Sequence, residues 1–222
     1  EYVDHASSVA LIIKSIAPDA TLYCAAYGVT AGSVIESIEW LIDQGVNVIS
    51  ISLSLGEFAN IYGDTAKWLD HIALDHFVSI VLAAGNKGDT NPGEVYEATL
   101  SYNSIVVGSV NVRGKISATS SYTSMTFAEG SRPDISAPGG NVQPIGMSYT
   151  SDGTSIAAPM VAGAVALLLY QEPDFVYYPD TIKAILAANI SLSHNFDRYV
   201  TWPLNSDNGY ELFRRMSEIA HG

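Results

Sequence analysis

A serine, a histidine and an asparagine, far apart in this 222-residue chain, have the neighbours that acyl-transfer chemistry needs. A serine attacks a carbonyl effectively when a base takes its proton and fixed donors receive the charge developing on the oxygen. Ser155 follows the small polar turn Asp152-Gly153-Thr154 and opens an almost wholly apolar run, Ile156 to Tyr170. A helix that is apolar all round must be buried, and its start carries unpaired N–H groups and a partial positive charge. Pro159 falls within the first turn or so, where a missing N–H costs little. Three readings compete for this stretch. As a membrane span it is short and interrupted by the proline. As a core helix it uses the serine as an N-cap. As a catalytic element it presents Ser155 as nucleophile beside a site for an oxyanion. The stretch alone leaves these open.

The base in such chemistry is usually histidine. The chain has five: His5, His71, His76, His194 and His221. His71 and His76 sit on or beside the polar side of an amphipathic helix and read as solvated. His194 lies in a polar loop and His221 at the terminus. His5 differs, because it starts an apolar helix among small residues (His5-Ala6-Ser7-Ser8-Val9-Ala10) that allow tight packing. Asn86 ends a strand through Ala83-Ala84-Gly85, so its amide can donate from the carboxyl edge of a sheet; alone, it reads equally as a turn former.

Helix and strand signals alternate throughout the chain. Helical stretches are read at His5 to Ile16, from the capping box Ser33-x-x-Glu36 to the C′ residue Gly45, at Asp64 to Asp75, after Ser155, at Asp180 to Asn189, and more weakly at Gly209 to His221. Strands are read at Ala20 to Tyr27, Asn47 to Leu55, Phe77 to Ala84 and Ser104 to Val110, with short strands and loops across 111–150. This alternation predicts an α/β fold, a mainly parallel sheet covered on both faces, with sites at the carboxyl ends of its strands. One domain over residues 1–222 is the simplest organisation. The net charge of −13, with ten scattered Lys and Arg, gives no basic footprint and argues against nucleic-acid binding. The single cysteine, Cys24, excludes an internal disulfide and lies in an apolar run, where burial is expected.

Several segments together resemble the subtilisin-like serine peptidases, the subtilases. Gly153-Thr154-Ser155-Ile156-Ala157-Ala158-Pro159 matches the family's serine signature, Gly-Thr-Ser-x-Ala-x-Pro. His5-Ala6-Ser7-Ser8-Val9-Ala10 is similar to its histidine signature, with Ala6 in place of a glycine, and Ala84-Gly85-Asn86 to the end of its oxyanion strand. Pro133 to Gly139 and Ala17-Pro18-Asp19-Ala20 are also family-like. The resemblance covers about residues 5 to 190; residues 191–222, with Trp202-Pro203, are only weakly family-like. It implies a three-layer α/β/α fold and a serine endopeptidase acting on protein or peptide substrates through an acyl-enzyme. Ser155 would attack, His5 would be the general base, and the Asn86 amide with the Ser155 N–H would hold the oxyanion. Ser52-Leu53-Ser54 and Ala83-Ala84-Gly85 would form the two walls of the primary specificity pocket, with Ser54-Leu55-Gly56 an alternative register for the first.

The chain departs from the family's pattern before His5. The third catalytic residue, an aspartate on the first central strand, should precede the histidine by tens of residues, and Asp4 is too close along the chain to serve. The triad aspartate and its strand are therefore expected upstream of this chain, leaving a gap in the sheet and a chain that is poorly active alone. The alternative is a non-catalytic subtilase-fold domain that binds peptides or regulates a partner. Gly153-x-Ser155-x-Ala157 is also one residue from the nucleophile elbow of α/β-hydrolases, but the proline and the missing glycine at 157 count against that fold, and the residue type at Asn86 counts against a sedolisin-like peptidase. Calcium is possible, yet the helix from His5 passes directly into Ala17-Pro18-Asp19, leaving no room for the family's calcium loop; no metal site or cofactor is legible. No membrane span is expected. A monomer is expected, and the family alone favours an extracellular or cell-envelope location. His5 and Ser155 should approach hydrogen-bonding distance with Asn86 facing them.

Overall fold

Side chains alternate across a strand, and here the alternation sorts the chain into two cores. The computed structural model describes residues 2–28, 30–58, 61–111, 113–123 and 131–188. In β2 (Ser79–Ala83) every residue is buried; Val81 and Ala83 enter one core, Ile80 and Leu82 the other. Its neighbours are β1 (Val48–Ile51) on one side and β3 (Ile105–Val110), then β4 (Ile135–Pro138), on the other. All three pairings are parallel, with Ile51 opposite Leu82, Ala83 opposite Val107, and Val107 opposite Ile135. The strand read at Asn47 to Leu55 is thus trimmed to four residues, and Ser52 begins the loop that follows.

The first core lies under α4 (Thr154–Gln171), flanked by α1 (Tyr2–Ile16) and α5 (Pro179–Ala188). Ala157, Ala158, Val161, Ala162 and Val165 of α4 meet Val81, Ile105, Val107 and Ile135 of the sheet, and α4 touches all four strands. The second core, beneath α2 (Ala31–Asp43) and α3 (Asp64–Asp75), gathers Ile38, Leu69, Ile72 and Ala73 against Ile49, Ile51, Ile80, Leu82 and Val106. This is the expected three-layer α/β/α arrangement with a parallel sheet. By length and composition α4 could cross a membrane, but most of its residues are buried inside the protein as the central core helix.

Four local readings are corrected. α2 is capped by Thr30, whose Oγ1 accepts from the Ser33 N–H at 3.2 Å, so Ser33 lies inside the helix and is not the cap of a Ser33/Glu36 box. Gly45 does close that helix, at φ 73°. Pro159 is the sixth residue of α4, beyond the first turn. The segment expected as a strand at Ala20 to Tyr27 forms no ladder, because among the described residues no strand lies beside it to take its N–H and C=O groups. It is held instead by side chains: Ser37 Oγ donates to the Ala26 carbonyl (2.8 Å), and Lys14 Nζ to the carbonyls of Pro18 and Ala20. Cys24 is consequently exposed rather than buried.

Buried polar groups fasten the sheet's far side. Asp70 of α3 accepts from Tyr62 Oη, Ser101 Oγ and the N–H groups of Tyr102 and Asn103, at 2.5–3.1 Å. Asp134, just before β4, accepts from the Val106 N–H (2.8 Å) and pairs with Lys183 of α5 (3.0 Å). Burial pushes the Lys183 ammonium below the usual lysine range, and Asp134 partly offsets this. The weak helix read at Gly209 to His221, with His194, Trp202 and Pro203, lies outside the described residues.

Helix α1 reaches its place through one glycine. A Cβ at Gly163 would lie 2.9 Å from Ile16 Cβ, closer than two such carbons approach. Gly163→Ala should therefore push α1 off α4 and destabilise the fold by about 1–3 kcal/mol, measured as a lower urea midpoint with an unchanged m value; an unchanged midpoint would show that the contact is not needed.

Candidate active site

The site grows from the start of α4, which lies beyond the carboxyl ends of β2 and β4. Gly153 is the N-cap residue, at φ 123°, a conformation that favours glycine; a Cβ there would also lie 2.9 Å from Asn86 Nδ2. Its N–H donates to the Gly139 carbonyl (2.7 Å), just beyond β4, where a Cβ on Gly139 would lie 2.5 Å from the Gly153 oxygen. Two glycines thus let the chain enter α4 pressed against the sheet.

A helix start has N–H groups without helical acceptors, and here nearly all are spoken for. The Gly153 N–H goes to Gly139, the Thr154 N–H to Asn86 Oδ1 (2.9 Å), and the Ile156 N–H back to the Gly153 carbonyl (3.1 Å). Among the described residues the Ser155 N–H has no acceptor. The buried Thr154 hydroxyl completes the arrangement, accepting from the Gly85 N–H (3.0 Å) and donating to Asn86 Oδ1 (3.1 Å). These two bonds to one oxygen fix which end of the amide is which: Oδ1 accepts twice, so Nδ2 is the end left to donate. Asn86 itself is exposed, and no described residue accepts from its Nδ2. Two free donors, the N–H of the half-buried Ser155 and Asn86 Nδ2, are therefore left at the positive end of a helix with no acidic residue in its first turn.

Pro159 has a consequence that reaches Ser155. A helical carbonyl normally accepts from the N–H four residues on, and for Ser155 that residue is Pro159, which has none. The hydroxyl of Ser52, just past β1, supplies the missing donor, 2.9 Å from the Ser155 carbonyl oxygen. Ser52 thus holds the backbone of Ser155, and of the expected first wall Leu53 packs against the second core while Ser54 is exposed. The opposite stretch, Ala83-Ala84-Gly85, is buried at the end of β2, with Gly85 at φ 103° beside Ser121. Strand pairing between β1 and β2 stops at Ile51 and Leu82, so these two segments leave adjacent strands at one level.

His5 stands on the second turn of α1, exposed, and its imidazole makes no hydrogen bond with another described residue, Ser155 included. Two contacts nevertheless fix its end of the helix. Ile16 meets Gly163, and Ser8 Oγ lies 3.1 Å from Tyr149 Oη, in the loop leading to α4. Ser8 precedes Ile16 by as many residues as Ser155 precedes Gly163, a rise of about 12 Å along either helix. The helices therefore run the same way, with the His5 end of α1 beside the start of α4. The structure bonds Ser52 to the Ser155 carbonyl and Asn86 to the adjacent Thr154, and places His5 at the same end without a bond from its imidazole to any of them. His71 and His76 are exposed on α3, as expected. Sequence reasoning missed the parts played by Thr154, Gly139 and the Ser52 hydroxyl; the signal for Ser52 was the proline four residues after Ser155.

Two donors left free where a serine opens a buried helix, at the carboxyl edge of a parallel α/β sheet, can receive charge developing on an oxygen. A model of the subtilase family of peptidases matches residues 4–208, and the chain belongs to that family. Subtilisin E of Bacillus subtilis is 33% identical over 171 residues, 72% of this chain and 42% of that protein, so the chain spans less than half the length of this relative. Among solved structures, a lanthipeptide protease superposes with a TM-score of 0.70 at 20% identity, covering 96% of this chain and 75% of its own. A cold-adapted subtilisin-like serine proteinase does so with a TM-score of 0.56 at 25% identity, covering 82% and 65%.

Ser52→Ala should leave the Ser155 carbonyl without a donor and cost about 1–3 kcal/mol of stability. Ser52→Thr, which keeps the hydroxyl, should recover most of it; equal urea midpoints for all three proteins would show that Ser52 does not hold Ser155.

Proposed function

We propose that this chain is the greater part of the catalytic domain of a serine endopeptidase that hydrolyses peptide bonds through an acyl-enzyme. The observation that carries this reading is the coincidence, at the start of α4, of the Ser155 N–H and Asn86 Nδ2, neither of which any described residue claims. Ser155 Oγ attacks the scissile carbonyl. His5 takes its proton and returns it to the leaving amine, and the carbonyl oxygen, now negative, is held by the Ser155 N–H and Asn86 Nδ2. Water then repeats the sequence to release the acyl group. An extended protein or peptide substrate lies between the segments leaving β1 and β2, its side chain in the cleft between Leu53-Ser54 and Ala83-Ala84-Gly85. These groups need no cofactor.

We further propose that the carboxylate orienting His5 belongs to a strand upstream of this chain. Among the described residues nothing pairs with the outer edge of β1. Ser50, on that strand, keeps a buried Oγ with no hydrogen-bond partner. The segment 20–28 pairs with no described strand, and beside it a cavity of about 420 Å³ opens between Cys24, Ala26, Gly28 and Ser33, Glu36, Trp40 of α2. All three features fit a missing neighbour at this edge. Without a carboxylate behind the imidazole, turnover falls by about 10⁴ in well-studied triads. The bare His5 also supports a second reading, a subtilase-fold domain that binds peptides without cutting them.

A fluorophosphonate probe separates the two. With the upstream segment present, Ser155 should be labelled, His5→Ala should label far more slowly, and Asn86→Ala should lose about 10²–10³ in kcat, the loss typical of removing one oxyanion donor in this family. The chain of residues 1–222 alone should be labelled slowly. Absence of labelling in the extended protein, with peptide binding retained, would establish the binding domain instead.

A further inference from the structure

The loop that delivers Ser155 is tied into a unit of its own. Val142 and Ser151 exchange both backbone hydrogen bonds, at 3.0 and 2.7 Å. The Asn141 N–H donates to Asp152 Oδ1 (2.5 Å), Gln143 Nε2 to the Met147 carbonyl (2.8 Å), and the Met147 N–H to the Pro144 carbonyl (3.0 Å). At its base the Gly153–Gly139 bond seats it on the sheet. Residues 141–152 are thus tied to one another, and Gly153, the N-cap of α4, follows directly. Most of the loop is exposed, Ile145 to 70%. From it Tyr149 reaches the neighbouring helix, its hydroxyl 3.1 Å from the Oγ of Ser8, which is 1% exposed and lies one turn after His5.

The two ends of α1 are held differently. Its second half is fixed by apolar packing: Ile12 is buried, Ile13 packs against the first core, and Ile16 abuts Gly163. The half that carries His5 is rich in small residues, and His5 itself is bonded to no described residue. A tilt of about 5° around the Ile16 contact moves the Ser8 turn, about 12 Å away, by about 1 Å. A misplacement of about 1 Å between reacting groups can cost about 10²-fold in rate.

We propose that Tyr149 is a positioning residue for the acyl-transfer reaction: its bond to Ser8 sets the loop that carries Ser155 against the turn that carries His5, and so fixes the approach of base to nucleophile. This inference rests on the peptidase reading above. Tyr149 acts through two other residues and donates nothing to the substrate. The Gly163 contact fixes the distance between the helices at one end, and the Ser8–Tyr149 bond fixes it at the other.

A double-mutant cycle in the whole protein tests this, reading the fluorophosphonate labelling rate of Ser155, kcat and KM on a peptide across pH, and the melting temperature. Tyr149→Phe and Ser8→Ala should each slow labelling and kcat about three- to tenfold, the range expected for one hydrogen bond. KM should stay unchanged, the melting temperature should not fall in step, and the double variant should be no slower than either single one. Ser8→Thr, which keeps a hydroxyl, should restore the rate. Wild-type rates in Tyr149→Phe, additive losses in the double variant, or losses that track the melting temperature would each overturn the role of Tyr149. Failure of the wild-type protein to label at Ser155 would instead overturn the peptidase reading, and this inference with it.

Discussion

The double hydrogen bond that Thr154 makes to Asn86 Oδ1, once through its N–H and once through its hydroxyl, is the constraint on which the site depends. It joins the first residue of α4 to the residue that ends the β2 segment, and the Gly85 N–H closes the ring through the same hydroxyl. Neutral hydrogen bonds add little net stability singly, about 1 kcal/mol each. Their value here is directional. An asparagine amide that could otherwise turn either way is obliged to present Nδ2, and a helix start that could offer several N–H groups offers Ser155's. Preorganised donors of this kind do not have to reorient when charge appears, and this is where oxyanion stabilisation gains over water.

That ring needs a rigid frame, and the two cores supply it. α4 rests on all four strands with alanines and valines, so its backbone lies close to the sheet; Gly139 and Gly153 permit the close approach at its start, and Gly163 that of α1. Pro159 would weaken the same helix by leaving the Ser155 carbonyl without its acceptor role, and Ser52 repairs it from across the sheet. The repair ties Ser155 to the exit of β1 as the Thr154 ring ties its neighbour to the exit of β2. Ser155 is thereby held from two adjacent strands.

Much of this was legible in the sequence where a residue type has a single physical use. The apolar run after Ser155 had to be a buried helix, Gly45 had to end α2, and the alternation of helices and strands required a parallel sheet with helices on both faces. The site residues were found through short signature segments, because Ser155 and Asn86 are brought together by tertiary packing that no local pattern encodes. What failed was what depends on a neighbour. Ala20 to Tyr27 has the composition of a buried strand, and Cys24 with it, but a strand exists only when another backbone accepts its hydrogen bonds. The Ser33-x-x-Glu36 pattern was a sound cap signal that lost to Thr30, three residues earlier. The Ser52 hydroxyl was assigned to a pocket wall because nothing local shows that a carbonyl across the sheet lacks a donor.

The same dependence on neighbours explains why the two halves of the site differ. The Ser155 N–H and the Asn86 amide stand on α4 and at the exit of β2, elements that have their partners among the described residues. His5 stands on α1, which Ile12, Ile13 and Ile16 hold in its second half and Ser8 holds toward its start, and no described residue bonds its imidazole. Nothing among the described residues chooses between the two ring nitrogens of such a histidine, whereas a general base needs one nitrogen free and the other bonded. The edge of β1 that no described strand pairs with and the Ser50 hydroxyl without a described partner lie on the strand whose exit holds Ser155, so whatever occupies that edge is built against the support of Ser155. On the proposed function, filling the edge and orienting His5 are therefore coupled: a strand that pairs with β1 is fixed in register to the segment that grips Ser155, and a carboxylate at its end inherits that register.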